Sequence, residues 1–240
     1  HRDMPGSIYS SGEMLKTLGM HGFLQSAGVF YKRLGQLRKY LKHTSTIEVF
    51  DAPVSLSPAD SMDSDGYTVC TTRCIGAEGS IDVRQTLIQP SAEPVSLLGW
   101  WAWDKATDER HYIEESLDYT ERHILESQPD VLLGFSQGAS ALGLLLRRWG
   151  DSPPSFLKLA VLVAPPGLPG CEDTPKVKSP LPVHMVYGTS DSILSEELIL
   201  STADHLHIDK IHTHTGGHFI PAAKAHRPMW AEIFGMPTEE

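Results

Sequence analysis

The stretch Val131-Leu132-Leu133-Gly134-Phe135-Ser136-Gln137-Gly138-Ala139 decides the fold. An apolar run of strand length enters a Gly-x-Ser-x-Gly pattern, and a run of small and apolar residues leaves it. This order predicts a buried strand, a sharp turn at Ser136 and a helix that begins at once. Such a turn is strained, and Gly134 and Gly138 leave its backbone room. It would project the Ser136 hydroxyl from the end of a sheet, where a base and a substrate can reach it.

Strands and helices alternate on both sides of this turn. The hydrophobic patterns predict strands over 14–20, 46–50, 130–135, 157–164, 182–187 and 208–214, and helices over 30–41, 113–128, 138–149, 195–205 and 222–234. This alternation is typical of an α/β fold with a mostly parallel central sheet and helices on both faces. The 240 residues are enough for one such domain with its own core. We therefore predict a single α/β-hydrolase domain over 1–240.

Two segments depart from the alternation. Residues 1–12 carry no apolar core and are predicted to be a flexible extension. Residues 54–107 are predicted to be a small insertion near the active site. Within it, 54–66 is rich in Ser, Pro and Asp and is expected to form an exposed loop, whereas 67–74 and 80–87 are expected to form a small hairpin.

The partners that an activated serine needs follow downstream, an acid first and then a histidine. Asp191 comes just after a predicted strand, whereas Asp204 lies on a predicted helix and Asp209 at the entry to a strand. His218 follows the last predicted strand, after two glycines that would let its ring swing over the sheet edge. Asp191 could also be a plain turn residue, and His218 a plain loop residue. We predict that Ser136, Asp191 and His218 form a catalytic triad.

Ester hydrolysis also needs two N–H groups that hold the developing oxyanion. One is expected from Gln137, the residue after the nucleophile. The other is expected from the loop after the first strand, where Gly22 permits the required turn and the N–H of Phe23 is our candidate. The alternative is a loop-to-helix turn without a catalytic part.

A metal site is the competing interpretation of the histidines. His212 and His214 alternate with their neighbours and would share one face of a strand, as two metal ligands can. A third ligand of fitting spacing is His218, which the triad already explains. We therefore predict no metal.

The charge and the cysteine content limit which partners and which location are expected. The formal net charge of −10 argues against a nucleic-acid partner. No apolar run approaches the ~20 residues of a membrane span. Three cysteines make no disulfide framework, so a reducing, cytoplasmic location is expected.

Five blocks, spread over nearly the whole chain, resemble the FSH family of serine hydrolases, which is common in fungi. They are Met20-His21-Gly22-Phe23-Leu24-Gln25-Ser26, Phe50-Asp51-Ala52-Pro53, Trp100-Trp101 with Tyr112-Ile113-Glu114-Glu115-Ser116-Leu117, Gly134-Phe135-Ser136-Gln137-Gly138-Ala139 and Gly216-Gly217-His218-Phe219-Ile220-Pro221. The resemblance implies a compact α/β-hydrolase that uses Ser136, Asp191 and His218 to hydrolyse carboxylic esters or thioesters without a cofactor. Some members release polyketide acyl chains from carrier proteins, and others prefer simple alkyl esters.

The chain departs from the family pattern in two places. Ser26 stands where many members have Asn, and 54–99 matches the family poorly. Both differences bear on the acyl pocket and leave the acyl-chain length open.

Three tryptophans, Trp100, Trp101 and Trp103, lie in one short run. Their rings could line a pocket for an acyl chain, or pack the insertion onto the core. The family's paired Trp favours Trp100 and Trp101 as substrate-binding residues.

The sequence thus predicts a serine carboxylesterase or thioesterase for small-molecule substrates with short to medium acyl chains. Two alternatives stay open. The first is a non-catalytic binding protein on the same fold, although such proteins typically lose the nucleophile or the histidine. The second is a peptidase or acyl transferase, although no long helical cap is available to admit a peptide.

Overall fold

A six-stranded parallel sheet with helices on both faces forms the centre of the molecule. The computed structural model describes residues 13–62, 68–74, 80–88, 97–104 and 109–237, and within these the backbone alone for 56–62, 68–74, 80–88 and 103–104. The predicted extension over 1–12 lies outside the described residues.

The elements follow one another in the order that the sequence predicts for the central sheet. They are β1 (Leu15–Met20), α1 (Ala27–Arg33), α2 (Gly35–Leu41), β2 (Ser45–Phe50), β3 (Val54–Met62), β4 (Thr68–Cys74), β5 (Ser80–Ile88), β6 (Leu97–Gly99), β7 (Ala102–Asp104), β8 (Glu109–His111), α3 (Ile113–Ser127), β9 (Val131–Phe135), α4 (Gln137–Trp149), β10 (Leu159–Val163), β11 (Val183–Gly188), α5 (Glu196–Leu200), α6 (Thr202–His205), β12 (Lys210–His214), a 3₁₀ turn (Lys224–His226) and α7 (Arg227–Phe234).

The strand order of the central sheet is β12-β11-β10-β9-β1-β2. From β1 the chain turns outward to β2, whereas β9 lies on the other side of β1. The loops that leave β1 and β9 therefore diverge, and such a switch point opens a crevice at the carboxyl ends of the strands. The predicted nucleophile follows β9, and the predicted oxyanion loop follows β1.

Both faces of the sheet are buried at its four inner strands, β1, β9, β10 and β11, as expected for parallel strands that helices cover on both sides. In β10 alternate side chains join different cores. Leu159, Val161 and Val163 pack with α1, α2 and α7, whereas Ala160 and Leu162 pack with α3 and α4. Each face of β10 is thereby covered by a different hydrophobic core.

The structure corrects the prediction for the start of the insertion. Val54–Met62 is a strand rather than an exposed loop, because it pairs with β4 on one side and β6 on the other. Backbone pairing on both sides outweighs the turn-forming composition, and the irregular register between Pro58 and Met62 accommodates the proline. The predicted hairpin is present as β4 and β5.

The predicted helix over 30–41 is divided in two. Leu34 ends α1 and precedes α2, whose first residue is Gly35, the poorest helix former in the run. Its apolar face, which includes Phe30, Leu37 and Leu41, is buried as predicted. Among the described residues, no helix has the length and apolar character needed to cross a bilayer.

A pair of histidines joins the outer strands β11 and β12. His184 Nδ1 and His212 Nε2 are 3.2 Å apart, and His212 is buried. Burial, together with the charges of His184 and Lys210, lowers the pKa of His212 to about 4, and burial lowers that of His184 as well. Below a pH of about 6.5 the unfolded chain therefore binds protons that the folded chain does not.

We expect the stability of the protein to fall as the pH drops from about 6.5 to about 4 because of this pair. The His212→Gln variant should lose roughly 2 kcal/mol of this pH dependence, since glutamine does not titrate. Urea unfolding of both proteins across this pH range measures the difference. Equal slopes of stability against pH would contradict the expectation, and His43→Gln, which alters an exposed histidine, is the control.

Candidate active site

Ser136 lies at the sharp turn between β9 and α4. Its backbone angles are φ 53° and ψ −123°, a conformation that a non-glycine residue rarely adopts. A hydrogen bond of 2.8 Å from Ser136 N–H to Val163 O holds the turn on β10. This hydrogen bond to the sheet therefore offsets the backbone strain at Ser136, and the Ser136 hydroxyl projects from the end of the sheet.

The two glycines of the pattern are required for close packing. A Cβ at Gly134 would lie 2.6 Å from Ala139 Cα, and one at Gly138 would lie 2.6 Å from Met20 O. Real Cβ atoms do not approach backbone so closely. These glycines let α4 begin directly against the ends of β9 and β1.

The structure brings the three predicted triad residues together. His218 Nε2 is 3.0 Å from Ser136 Oγ, and His218 Nδ1 is 2.7 Å from Asp191 Oδ2. Both distances are within hydrogen-bond reach, so a proton can pass from the hydroxyl to the ring while the carboxylate holds the ring's other nitrogen.

Asp191 is held in its ionised form. Its side chain is only 2% exposed, and its second oxygen accepts the N–H groups of Ile193 and Leu194 at 2.8 and 3.0 Å. Burial alone would raise the pKa of this carboxyl, but the hydrogen bonds from Leu194, His218 and Ile193 outweigh it and lower the pKa. Asp204 is exposed on α6, and Asp209 accepts the N–H of Val183, the first residue of β11. Neither is therefore an alternative to Asp191 as the acid of the triad.

The loops that carry Asp191 and His218 are stacked on each other. Gly188 ends β11, and a Cβ there would lie 2.5 Å from Gly217 O. Ser190 N–H donates to Gly216 O at 3.1 Å, and Gly216 N–H donates to His214 Nδ1 at the same distance. The absence of a Cβ at Gly188 thus allows close approach between two neighbouring strand ends.

The loop after β1 lies beside the nucleophile. A Cβ at Gly22 would be 3.2 Å from Ser136 Cβ, tighter than most Cβ contacts, so glycine favours this close approach of the backbone. Phe23 follows it, and Gln137 begins α4, where the first N–H groups have no partner within the helix. Both predicted oxyanion residues therefore lie at the same strand ends as Ser136.

The side chain of His21 orients this loop. Ala52 N–H donates to His21 Nε2 at 3.0 Å, so the ring proton is on Nδ1, which donates to Gly22 O at 2.7 Å. Burial lowers the pKa of His21 and keeps the ring neutral. Since C=O and N–H point in opposite directions across a trans peptide, fixing Gly22 O also fixes the direction of Phe23 N–H.

We expect His21→Phe to lower kcat by about 10²-fold, the effect of misplacing one oxyanion donor, with little change in KM. The phenyl ring keeps the volume but leaves Ala52 N–H and Gly22 O unpaired, which should cost about 1–3 kcal/mol of stability. Kinetics and urea unfolding measure both effects. His123→Phe is a matched control, because His123 stacks on Phe50 at 4.2 Å outside this loop. A kcat unchanged in His21→Phe would contradict the role.

Trp100 lies in the core. It is fully buried, its indole N–H donates to His21 O at 2.7 Å, and its ring packs edge-on against Phe50. Trp101 is 5% exposed. The structure favours core packing for both, and Trp100, which has no exposed surface, makes no contact with a substrate in this conformation. The indole of Trp103 lies outside the part of the chain whose side chains the structure describes.

The side chain of Gln137 binds the tryptophan segment. Its Oε1 accepts Trp100 N–H at 2.8 Å, and its Nε2 donates to Trp101 O at 3.0 Å. The sequence motifs predict a role only for the backbone of Gln137, and none for the side chain of His21. Both residues were within the motifs, but Ala52, which fixes the His21 ring, and the tryptophans that Gln137 binds lie more than 30 residues away in the chain.

The histidine pair considered for a metal has other partners. His212 lies against His184, and His214 accepts Gly216 N–H, so the two rings serve different neighbours. Among the residues that the structure describes, no group of three His, Cys, Asp or Glu side chains could hold a metal ion.

Solved structures of other proteins share this architecture. The chain aligns with the structure of esterase PE8 at a TM-score of 0.56 and 15% identity, covering 91% of this chain and 92% of that one. SOBER1 of Arabidopsis thaliana also gives a TM-score of 0.56, at 12% identity, with 93% and 98% covered. These likenesses establish the α/β-hydrolase fold.

Sequence comparisons give the family of the chain in addition to its fold. The chain is 25% identical to Esterase OVCA2 of Xenopus tropicalis, with 96% of each chain covered. It is 27% identical to Esterase OVCA2 of Homo sapiens, with 94% of this chain and 97% of that one covered. The family model described as "Serine hydrolase (FSH1)" matches residues 10–229. The chain therefore belongs to the FSH1 serine hydrolase family.

Proposed function

We propose that this protein hydrolyses carboxylic esters or thioesters of short to medium acyl chains through an acyl-enzyme on Ser136. The observation that carries the proposal is the hydrogen-bonded series Ser136 Oγ, His218 and Asp191, with distances of 3.0 and 2.7 Å. Family membership supports a hydrolase, and the triad geometry supports the chemistry.

Each step has a group that performs it. His218 Nε2 takes the Ser136 proton as Oγ attacks the carbonyl carbon, and the N–H groups of Phe23 and Gln137 hold the oxyanion. His218 then returns the proton to the departing alcohol or thiol, which leaves the acyl group on Ser136. A water molecule, deprotonated by His218, attacks this ester, and the carboxylic acid departs as Ser136 regains its proton.

A fluorophosphonate probe tests the nucleophile directly. We expect one covalent adduct, which mass spectrometry locates on Ser136. Ser140 lies in the same peptide and is an internal comparison, because it is buried with its hydroxyl donated to Gly167 O at 2.6 Å. An unlabelled protein would contradict the proposal and favour a non-catalytic binding protein, whereas an adduct elsewhere would contradict Ser136 as the nucleophile.

An acyl-chain series tests the substrate class. Esters and thioesters of one leaving group, with acyl chains from acetyl to palmitoyl, are compared by kcat/KM. The proposal expects a maximum at short to medium chains. A maximum at the longest chains, or transfer of the acyl group to an added alcohol in preference to water, would contradict it.

A further inference from the structure

A pocket opens between helix α1 and the chain that follows His218. It is a cavity of about 290 Å³ lined by Phe30, Arg33, Phe135, Phe219 and Ile220. This volume is at the small end of ligand pockets, and walls that are apolar apart from one polar group are typical of them. Here Arg33 is that group.

The pocket borders the triad. Phe135 immediately precedes Ser136, and its ring centroid lies 5.0 Å from that of His218. Phe219 and Ile220 immediately follow His218. Phe219 is 45% exposed, so its ring is accessible to a ligand that enters the pocket.

The chemistry of the triad indicates which part of a substrate this pocket would receive. His218 must return its proton to the leaving alcohol or thiol, so that group lies next to the imidazole. The oxyanion is held instead at the loop after β1. A pocket walled by residues beside His218 therefore lies on the leaving-group side.

The segment that carries Arg33 is basic although the whole protein is acidic. Residues 14–47 contain no Asp or Glu, whereas the whole chain has a net charge of −10. Within the described part of the chain, no carboxylate forms an ion pair with Arg33. Asp51 accepts Ala27 N–H at the opposite end of α1, about 9 Å away along the helix. Arg33 is thus placed to attract an anion.

We propose that this pocket binds the leaving group of the substrate, an alcohol or thiol with an apolar segment next to the reacting bond and an anionic group further out that pairs with Arg33. The inference rests on the proposed function and narrows its substrate class. The apolar segment contacts Phe135 and Phe219, and the anion, a carboxylate or a phosphate, reaches the guanidinium.

Matched thioesters test the inference. All carry the same acyl group, and the leaving thiols are ω-mercaptoalkanoates of increasing length, the neutral amides of the same lengths, and the corresponding ω-mercaptoalkyl phosphates. We expect the thioester of the best-fitting anionic thiol to have a kcat/KM about fivefold above that of the thioester whose leaving thiol is the matched neutral amide, at low ionic strength. Added salt should reduce this ratio. The carboxylate and phosphate members distinguish the two anions.

Two variants locate the effect. Arg33→Gln should bring the ratio of anionic to neutral substrate close to one, whereas Arg38→Gln, the same change of charge on α2, should keep it; Arg38 lies over the Tyr31 ring at 3.4 Å. Phe219→Ala should lower kcat/KM for both substrates.

Three outcomes would overturn the inference while ester hydrolysis stands. They are equal rates for anion and amide at every length, an unchanged ratio in Arg33→Gln, and a charge preference that appears only when the anion is on the acyl chain. Absence of hydrolysis for every thioester and ester would instead refute the proposed function.

Discussion

Ser136→Ala is expected to lower kcat by about 10⁶-fold, as loss of the nucleophile does in serine protease triads. The alanine side chain has no oxygen that could attack a carbonyl or carry an acyl group. The residual rate would come from substrate binding and the oxyanion donors alone. Steady-state hydrolysis of a p-nitrophenyl ester measures the loss, and fluorophosphonate labelling should disappear with it.

Ser140→Ala is the matched control for this substitution. It removes a hydroxyl from α4, the helix that follows Ser136, where the group donates to Gly167 O. We expect a stability loss of about 1 kcal/mol with labelling and turnover retained. A kcat of Ser136→Ala close to that of the unaltered protein would overturn the assignment of the nucleophile.

Asp191→Asn is expected to lower kcat by about 10⁴-fold, the effect of the same change in a serine protease triad. The amide can no longer accept Ile193 N–H, Leu194 N–H and the His218 ring proton as a carboxylate does. The ring is then free to adopt the tautomer whose Nε2 carries the proton and cannot take another from Ser136. Single-turnover acylation rates measure the loss directly.

Asp204→Asn is the control, because Asp204 is exposed on α6 and was the competing acid in the sequence. It should leave kcat and KM unchanged. If Asp191→Asn kept the full rate while Asp204→Asn or Asp209→Asn lost it, our choice of acid would be wrong.

The loop after β1 shows which parts of the site could not be predicted from the sequence. Gly22 and Phe23 could be singled out because an oxyanion donor is expected after the first strand. The side-chain role of His21 depends on Ala52 and Gly22 together, and that contact arises only when β1 and β2 lie side by side. Trp100 shows the same limit, since a paired-Trp pattern does not reveal that one indole is fully buried.

The insertion shows a similar limit for the fold. Residues 54–62 have the composition of a loop, yet they form a strand because β4 and β6 supply backbone partners on both sides. Pairing partners distant in the chain outweigh local propensity in sheets. Helices and buried parallel strands were predictable because their patterns are local.

By itself the sequence determined the alternating α/β order, the strained turn at Ser136 and the acid and histidine that follow it, because these depend on hydrophobic period and on residue types at strand ends. Only the tertiary structure decided that Gly188 and Gly217 stack to bring Asp191 and His218 within 2.7 Å, that His21 orients the first loop, and that Arg33 borders a pocket beside the triad. These contacts join residues up to about 190 positions apart, and folding alone brings them together.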